Sequence, residues 1–255
     1  MEQKEPPMAR YSEFAASIKS EARGALLGNL GVTVGANLLT LLISAVLLQI
    51  GIVLFPGTSV ISFLGAEAVS YLIALFLGIV LYGLFYIYMS LSYGQPAVIA
   101  DLFRGFTNGA PDRIIRVQAV LSGISLVCML PAMIWMQTVK TPFSQAGIPV
   151  TILLYAGGTA AEVYFDLMFS MSYFVMIDFP QLGASDVLRT SRRMTGGEKG
   201  RLFRLCIGFL PLWLLGAISL GIANLWVAAY QLSSFAAFYR IKAAAPQKKQ
   251  EVPQN

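Results

Sequence analysis

Apolar residues fall in long blocks separated by short polar segments. The first block covers residues 32–54. At about 1.5 Å per residue it matches a bilayer core of roughly 30 Å. Phe55-Pro56-Gly57 ends it. Further blocks cover 69–91, 117–138 and 148–177. The last of these is longer than a bilayer needs, so it is expected to tilt, to break near Gly157-Gly158 or to project into the cytoplasm. Residues 202–239 are too long for one span and suit two, 202–220 and 225–239. The reversal is placed at Ser219 to Asn224, where Gly221 and Asn224 tolerate a tight turn.

The flanks complete an all-α reading. Residues 1–10 and 243–255 are polar and contain proline, and read as disordered tails outside one membrane domain, 11–242. Between Tyr11 and Asn29, apolar positions including Ile18, Ala22 and Leu26 recur at helical spacing against Glu13, Lys19, Glu21 and Arg23. That is an amphipathic helix lying before the first span. Asp101-Leu102-Phe103-Arg104 and Asp186-Val187-Leu188-Arg189 each follow a proline and precede a helix pair. The expected fold is therefore a polytopic bundle of six transmembrane helices with amphipathic segments. It carries the outline of a three-fold repeat of helix pairs. Tyr82, Tyr86, Tyr88 and Tyr93 are expected as an interfacial belt.

Charge orients this bundle. All 18 basic residues except Lys140 fall on one face of the six-helix arrangement, which puts both termini in the cytoplasm. A five-helix arrangement would spoil the asymmetry. The net charge of +5 and pI near 9.2 then need no nucleic-acid partner. Only 12% of residues are charged and mean hydropathy is +0.68, which excludes a soluble enzyme, a disordered chain and a disulfide scaffold. The polar leader is too long for a signal peptide, and Ala66-Glu67-Ala68 lies far beyond the first apolar block, so that block reads as an uncleaved helix.

Histidine is absent, which removes imidazole bases and ligands. Cys128 and Cys206 lack a CxxC partner and read as small buried residues. No cofactor and no metal site is implied.

Three constellations stand out. Gly24, Gly28, Gly31 and Gly35 would form a small-residue stripe, either a dimer or partner face or a packing surface within the chain. Glu162 and Asp166, at i and i+4, share a helix face where ionisation is costly. Glu162 is expected near mid-membrane, with no Lys or Arg at its depth and with Asn37, Gln49 and Gln118 as candidate hydrogen-bond partners. The pair reads either as a polar cavity for a cation, proton or ligand, or as protonated carboxyls joining helices. Arg189, Arg192 and Arg193 read as lipid-headgroup contacts or as topological anchors. Gly196-Gly197 after them is a helix end and not a phosphate-binding loop, because GxxxxGK[ST] is absent.

Residues 186–194 with Gly196, Arg201-Leu202-Phe203, Trp213, Leu220-Gly221-Ile222, Leu225-Trp226, Tyr230 and Ala237-Phe238-Tyr239 resemble a bacterial integral-membrane family, the domain of unknown function number nine-seven-five. Asp101-Leu102-Phe103 with Gly105-Phe106, and Ala22-Arg23 with Leu27-Gly28-Asn29, look like its middle and N-terminal patterns. Ala228-Ala229 departs from it, since the family tends to place Pro before this Tyr. The resemblance implies a bacterial inner membrane and supplies no catalytic residue.

The functional expectation is a non-enzymatic membrane protein that binds lipid, anionic lipid among it, or a membrane protein partner, or forms a homo-oligomer, through its amphipathic segments. The alternative is a small transporter or channel using Glu162 and Asp166. An intramembrane enzyme is disfavoured: no intramembrane Lys supports a Ser-Lys pair, and the two acids share one helix.

Overall fold

The structure is a computed structural model describing residues 7–57, 59–107, 111–139 and 141–250, with side chains from residue 15 to 244. Lys140 lies outside the described residues. The elements are helices α1 (Pro7–Leu26), α2 (Leu30–Leu54), α3 (Val60–Ser92), a 3-10 turn (Ile99–Phe103) running into α4 (Arg104–Thr107), α5 (Pro111–Thr138), α6 (Gly147–Phe169), α7 (Ser172–Asp178), α8 (Ala184–Thr195), α9 (Lys199–Ile207), α10 (Leu210–Ile218) and α11 (Asn224–Gln250). There is no strand among the described residues.

Five helical runs are long and apolar enough to cross a bilayer: Leu30–Leu54, Val60–Ser92, Pro111–Thr138, Gly147–Asp178 and Lys199–Ile218. The expected sixth, in α11, is not among them, because Asn224, Gln231, Ser233, Ser234 and Arg240 dilute its apolar residues. The reversal before it lies where expected, with Leu220 and Gly221 at φ of +55° and +85°.

Several boundaries move. Helix α1 starts at Pro7 and α11 runs to Gln250, both inside the expected tails, as the first-turn preference of proline and the helix-forming Ala and Lys residues of that end favour. Helix α3 starts at Val60, nine residues early, because Ser59 caps it by accepting the Ser62 amide at 3.1 Å. The fourth run does not break at Gly157-Gly158. There Gly158 lets α6 approach α5, since a Cβ would lie 2.8 Å from the Cys128 carbonyl. The interruption falls instead between Phe169 and Ser172.

Helix α3 organises the molecule, packing on α2, α5, α7, α11 and the 99–107 segment. Its 33 residues would extend about 50 Å, well beyond a bilayer core. The surplus is its C-terminal half, buried almost continuously from Gly78 to Ser92. Around it gather Ile18, Ala22 and Leu26 of α1, Leu102, Ile114 and Val117, residues 171–176, Val187, Leu202, Leu205 and the end of α11. Most of the core thus lies at one end, as a cap in which the amphipathic segments bury their apolar faces. Tyr82 and Tyr88 belong to this core rather than to an interfacial belt. Gly83 admits the Leu102 carbonyl so closely that a Cβ would collide with it.

Arginines close the cap by satisfying helix C-terminal carbonyls. Buried Arg113 donates to the carbonyls of Met176, Phe179, Pro180 and Leu182, fastening α5 to the end of α7. Arg240 of α11 donates to the Ser92 carbonyl at the end of α3 and pairs with Glu21 of α1. At the start of α9, Glu198 accepts Lys242 and Arg201. Burial opposes its charge, but the Lys242 ammonium and the Arg201 guanidinium outweigh that and hold its carboxyl below the usual value.

Candidate intramembrane groove

Above the cap, α3, α5 and α6 border an open cavity of about 540 Å³. Helix α5 lies against both α3 and α6. On α5 the lining residues are Gln118, Ser122, Ser125, Met129 and Met133, a single face at spacings of three and four. They span about 22 Å. On α3 the corresponding face carries Glu67, Ser70, Tyr71, Ala74, Leu81 and Phe85. Helix α6 contributes Glu162 and Asp166.

The polar groups form a ladder. Tyr173 donates to Gln118 Oε1 at 2.6 Å, and Gln118 Nε2 donates to Ser122 Oγ at 3.0 Å. Ser125 Oγ donates to Glu162 Oε1, joining α5 to α6. Tyr71 donates to the Ala119 carbonyl at 2.9 Å and ties α3 to α5. The cap end is closed by aromatic packing: Phe85 stacks on Tyr173 at 4.9 Å and meets Phe174 edge-on at 5.0 Å. Toward the other end, Met129 and Met133 make the wall apolar. Among the described residues, no Lys or Arg lines the cavity. Among the described residues no three acidic or thiol groups converge closely enough to hold a metal ion.

The structure thus keeps Glu162 and Asp166 on one face and adds Gln118 to them. It corrects their surroundings. Glu162 lies about two-thirds of the way along α6, near the middle of the membrane-length run Gly147–Asp178. Lys199 Nζ donates to Tyr164 at 2.8 Å, on the outer side of α6. Asn37 is not part of the site. Its amide donates to the Leu225 carbonyl at 3.1 Å and joins α2 to α11, because α2 packs on the opposite side of α3. Gln49 is likewise absent from the lining.

Glu67 is the acid that sequence reading missed. The expected spans 32–54 and 69–91 leave it between them, whereas the early start of α3 carries it into a helix. The spacing of Glu67, Tyr71 and Ala74 already held the signal, three less apolar positions at intervals of four and three.

The remaining candidates fall outside the groove. Gly28 has φ of +82° and ends α1, so the four glycines do not form one helical stripe. Only Gly35 meets a neighbour closely, with Ile99 Cδ1 2.9 Å from where a Cβ would stand, and Gly24, Gly28 and Gly31 have nothing within 4 Å. Arg189, Arg192 and Arg193 lie on the exposed side of α8. Arg189 pairs loosely with Asp186 at 3.8 Å. The inner side of α8 buries Val187, Ser191 and Thr195, and both hydroxyls donate to the Met168 carbonyl near the end of α6, at 3.3 and 2.9 Å. The apolar face of α8 is therefore used inside the cap, and its charged face remains outside.

A family model described as a protein of unknown function, DUF975, matches residues 13–245. No curated protein and no solved structure matches the chain.

Proposed function

The chain belongs to the DUF975 family of unknown function, and we propose that it is a non-enzymatic protein of the bacterial cytoplasmic membrane that binds an amphiphile in the groove between α3, α5 and α6. The observation that carries this reading is the polar ladder itself. Exposing Gln118, Ser122, Ser125, Glu162, Asp166 and Glu67 to hydrocarbon alone would be costly, whereas a partner with polar groups satisfies them.

The proposed topology is six spans with α11 as the sixth and both termini cytoplasmic. The clustering of described basic residues on α1, the 99–107 segment, α8, α9 and the end of α11 supports it. So does the element order, in which α1, the 99–107 segment and α8 each precede a helix pair, the outline of a three-fold repeat. The cap then faces the cytoplasm, where Arg189, Arg192 and Arg193 meet anionic headgroups.

Thiol labelling tests the binding reading. Cys128 and Cys206 are first replaced by Ala. A membrane-permeant maleimide should then react readily with S122C in delipidated protein and slowly in native membranes, where the occupant shields it. V127C, on the lipid-facing side of α5, should react alike in both. Equal reactivity of S122C in the two states would overturn the reading.

A second reading is a cation or proton transporter, favoured by the staggering of Asp166, Glu162 and Glu67 along the groove. It requires flux in reconstituted vesicles that Glu162→Gln abolishes.

A further inference from the structure

The geometry points to an organic cation with an apolar body as the occupant of the groove. This inference rests on the groove-binding reading above and names the class of ligand. The cavity of about 540 Å³ is of a size that holds an organic molecule. Its walls are mostly apolar, and Phe85, Phe169, Met129 and Met133 present polarisable side chains suited to a cation with an apolar surface. Among the described residues, its lining holds three carboxyls and no Lys or Arg.

The carboxyls are staggered on two helices, and among the described residues no three acidic or thiol groups gather to chelate a metal ion. A single delocalised positive charge matches that arrangement better than a compact ion, which needs convergent oxygen ligands. Glu162, held by Ser125 near the middle of the α5 face, is the main counter-charge.

A pair of ions of equal shape and opposite charge tests this. Tetraphenylphosphonium and tetraphenylborate are measured by equilibrium dialysis against the protein in nanodiscs, with empty nanodiscs subtracted. The cation should bind saturably, one per chain, at least tenfold more tightly than the anion. Glu162→Gln with Asp166→Asn should weaken cation binding at least tenfold, and Glu162→Asp should retain most of it. Should the double variant fail to fold, Glu162→Gln alone, which keeps side-chain size and the capacity to bond Ser125, should weaken binding severalfold. Asn37→Ala, outside the groove, should leave it unchanged. Equal binding of both ions, or undiminished cation binding in folded Glu162→Gln, would overturn the inference. If S122C is shielded in native membranes while no charge preference appears, the cation assignment falls and the groove remains a binding site. If neither is seen, both fall.

Discussion

Arg113 is the test of how the cap is held together. It is 8% exposed, and its guanidinium reaches four carbonyls across the turn between α7 and α8, at 3.1 Å for Met176, 3.3 Å for Leu182 and 3.4 Å for Phe179, with Pro180 closest. A hydrogen bond from a charged donor contributes about 1.5–3 kcal/mol net. The four are not additive, since Nη1 is shared among three acceptors and water would enter the vacated space. Arg113→Ala should therefore cost about 3–5 kcal/mol, the scale of losing one partner from a buried charged cluster. That corresponds to a fall in Tm on the order of 10 °C for a chain of this size. Arg113→Lys should recover less than half, because an ammonium is a point charge that cannot span the same fan of acceptors. Fluorescence-detected size exclusion after heating reads both variants in one detergent. An Arg113→Ala protein within about 2 °C of wild type, or full recovery by Lys, would refute the reasoning.

Asn37→Ala removes one bond between α2 and α11 and should destabilise by about 0.6 kcal/mol, the average for an interhelical bond in lipid, measured by the same assay. Gly83→Val forces a side chain into the Leu102 carbonyl and should abolish folded yield, whereas Gly24→Ala, in open space within α1, should be neutral or stabilise by about 0.5–1 kcal/mol. The Glu198 carboxyl is held below its unfolded value. Its contribution is thus present above about pH 4.3 and lost as pH falls through the folded value. The Tm difference between wild type and Glu198→Gln should shrink over that interval, and a difference constant with pH would contradict it. A reporter active only outside the cytoplasm, fused after Asn255, should be silent; strong activity would remove the sixth span.

Hydrophobic block length made the apolar helices legible, since spanning length is a property of composition alone. What sequence could not show was depth. Residues 79–92 are as apolar as a membrane span, yet they form the core of a cap, because burial in protein and burial in lipid select the same residue types. For the same reason Tyr82 and Tyr88 looked interfacial. Glu162 and Asp166 were readable because two acids at i and i+4 break an apolar run. Their neighbours were not, since which helix faces α6 is a tertiary fact: Gln118 and Ser125 come from α5, and Asn37 goes to α11. Glu67 was hidden by a misplaced boundary, as Ser59 could be read as a cap only once the turn before it was known. The glycine stripe failed at Gly28, where a positive φ ends a helix that spacing alone would continue.

Binding in the groove requires the face of α5 that carries Ser122 and Ser125 to be open and not a packed interface. Spin labels introduced singly from residue 118 to 130 in a bilayer measure this through their collision rates with oxygen, enriched in lipid, and with a water-soluble nickel chelate. Nickel accessibility should peak at 118, 122 and 125, out of phase with oxygen peaks at 120, 127 and 130. Labels at 122 and 125 as immobile and as inaccessible to both agents as one at buried Val117 would contradict it.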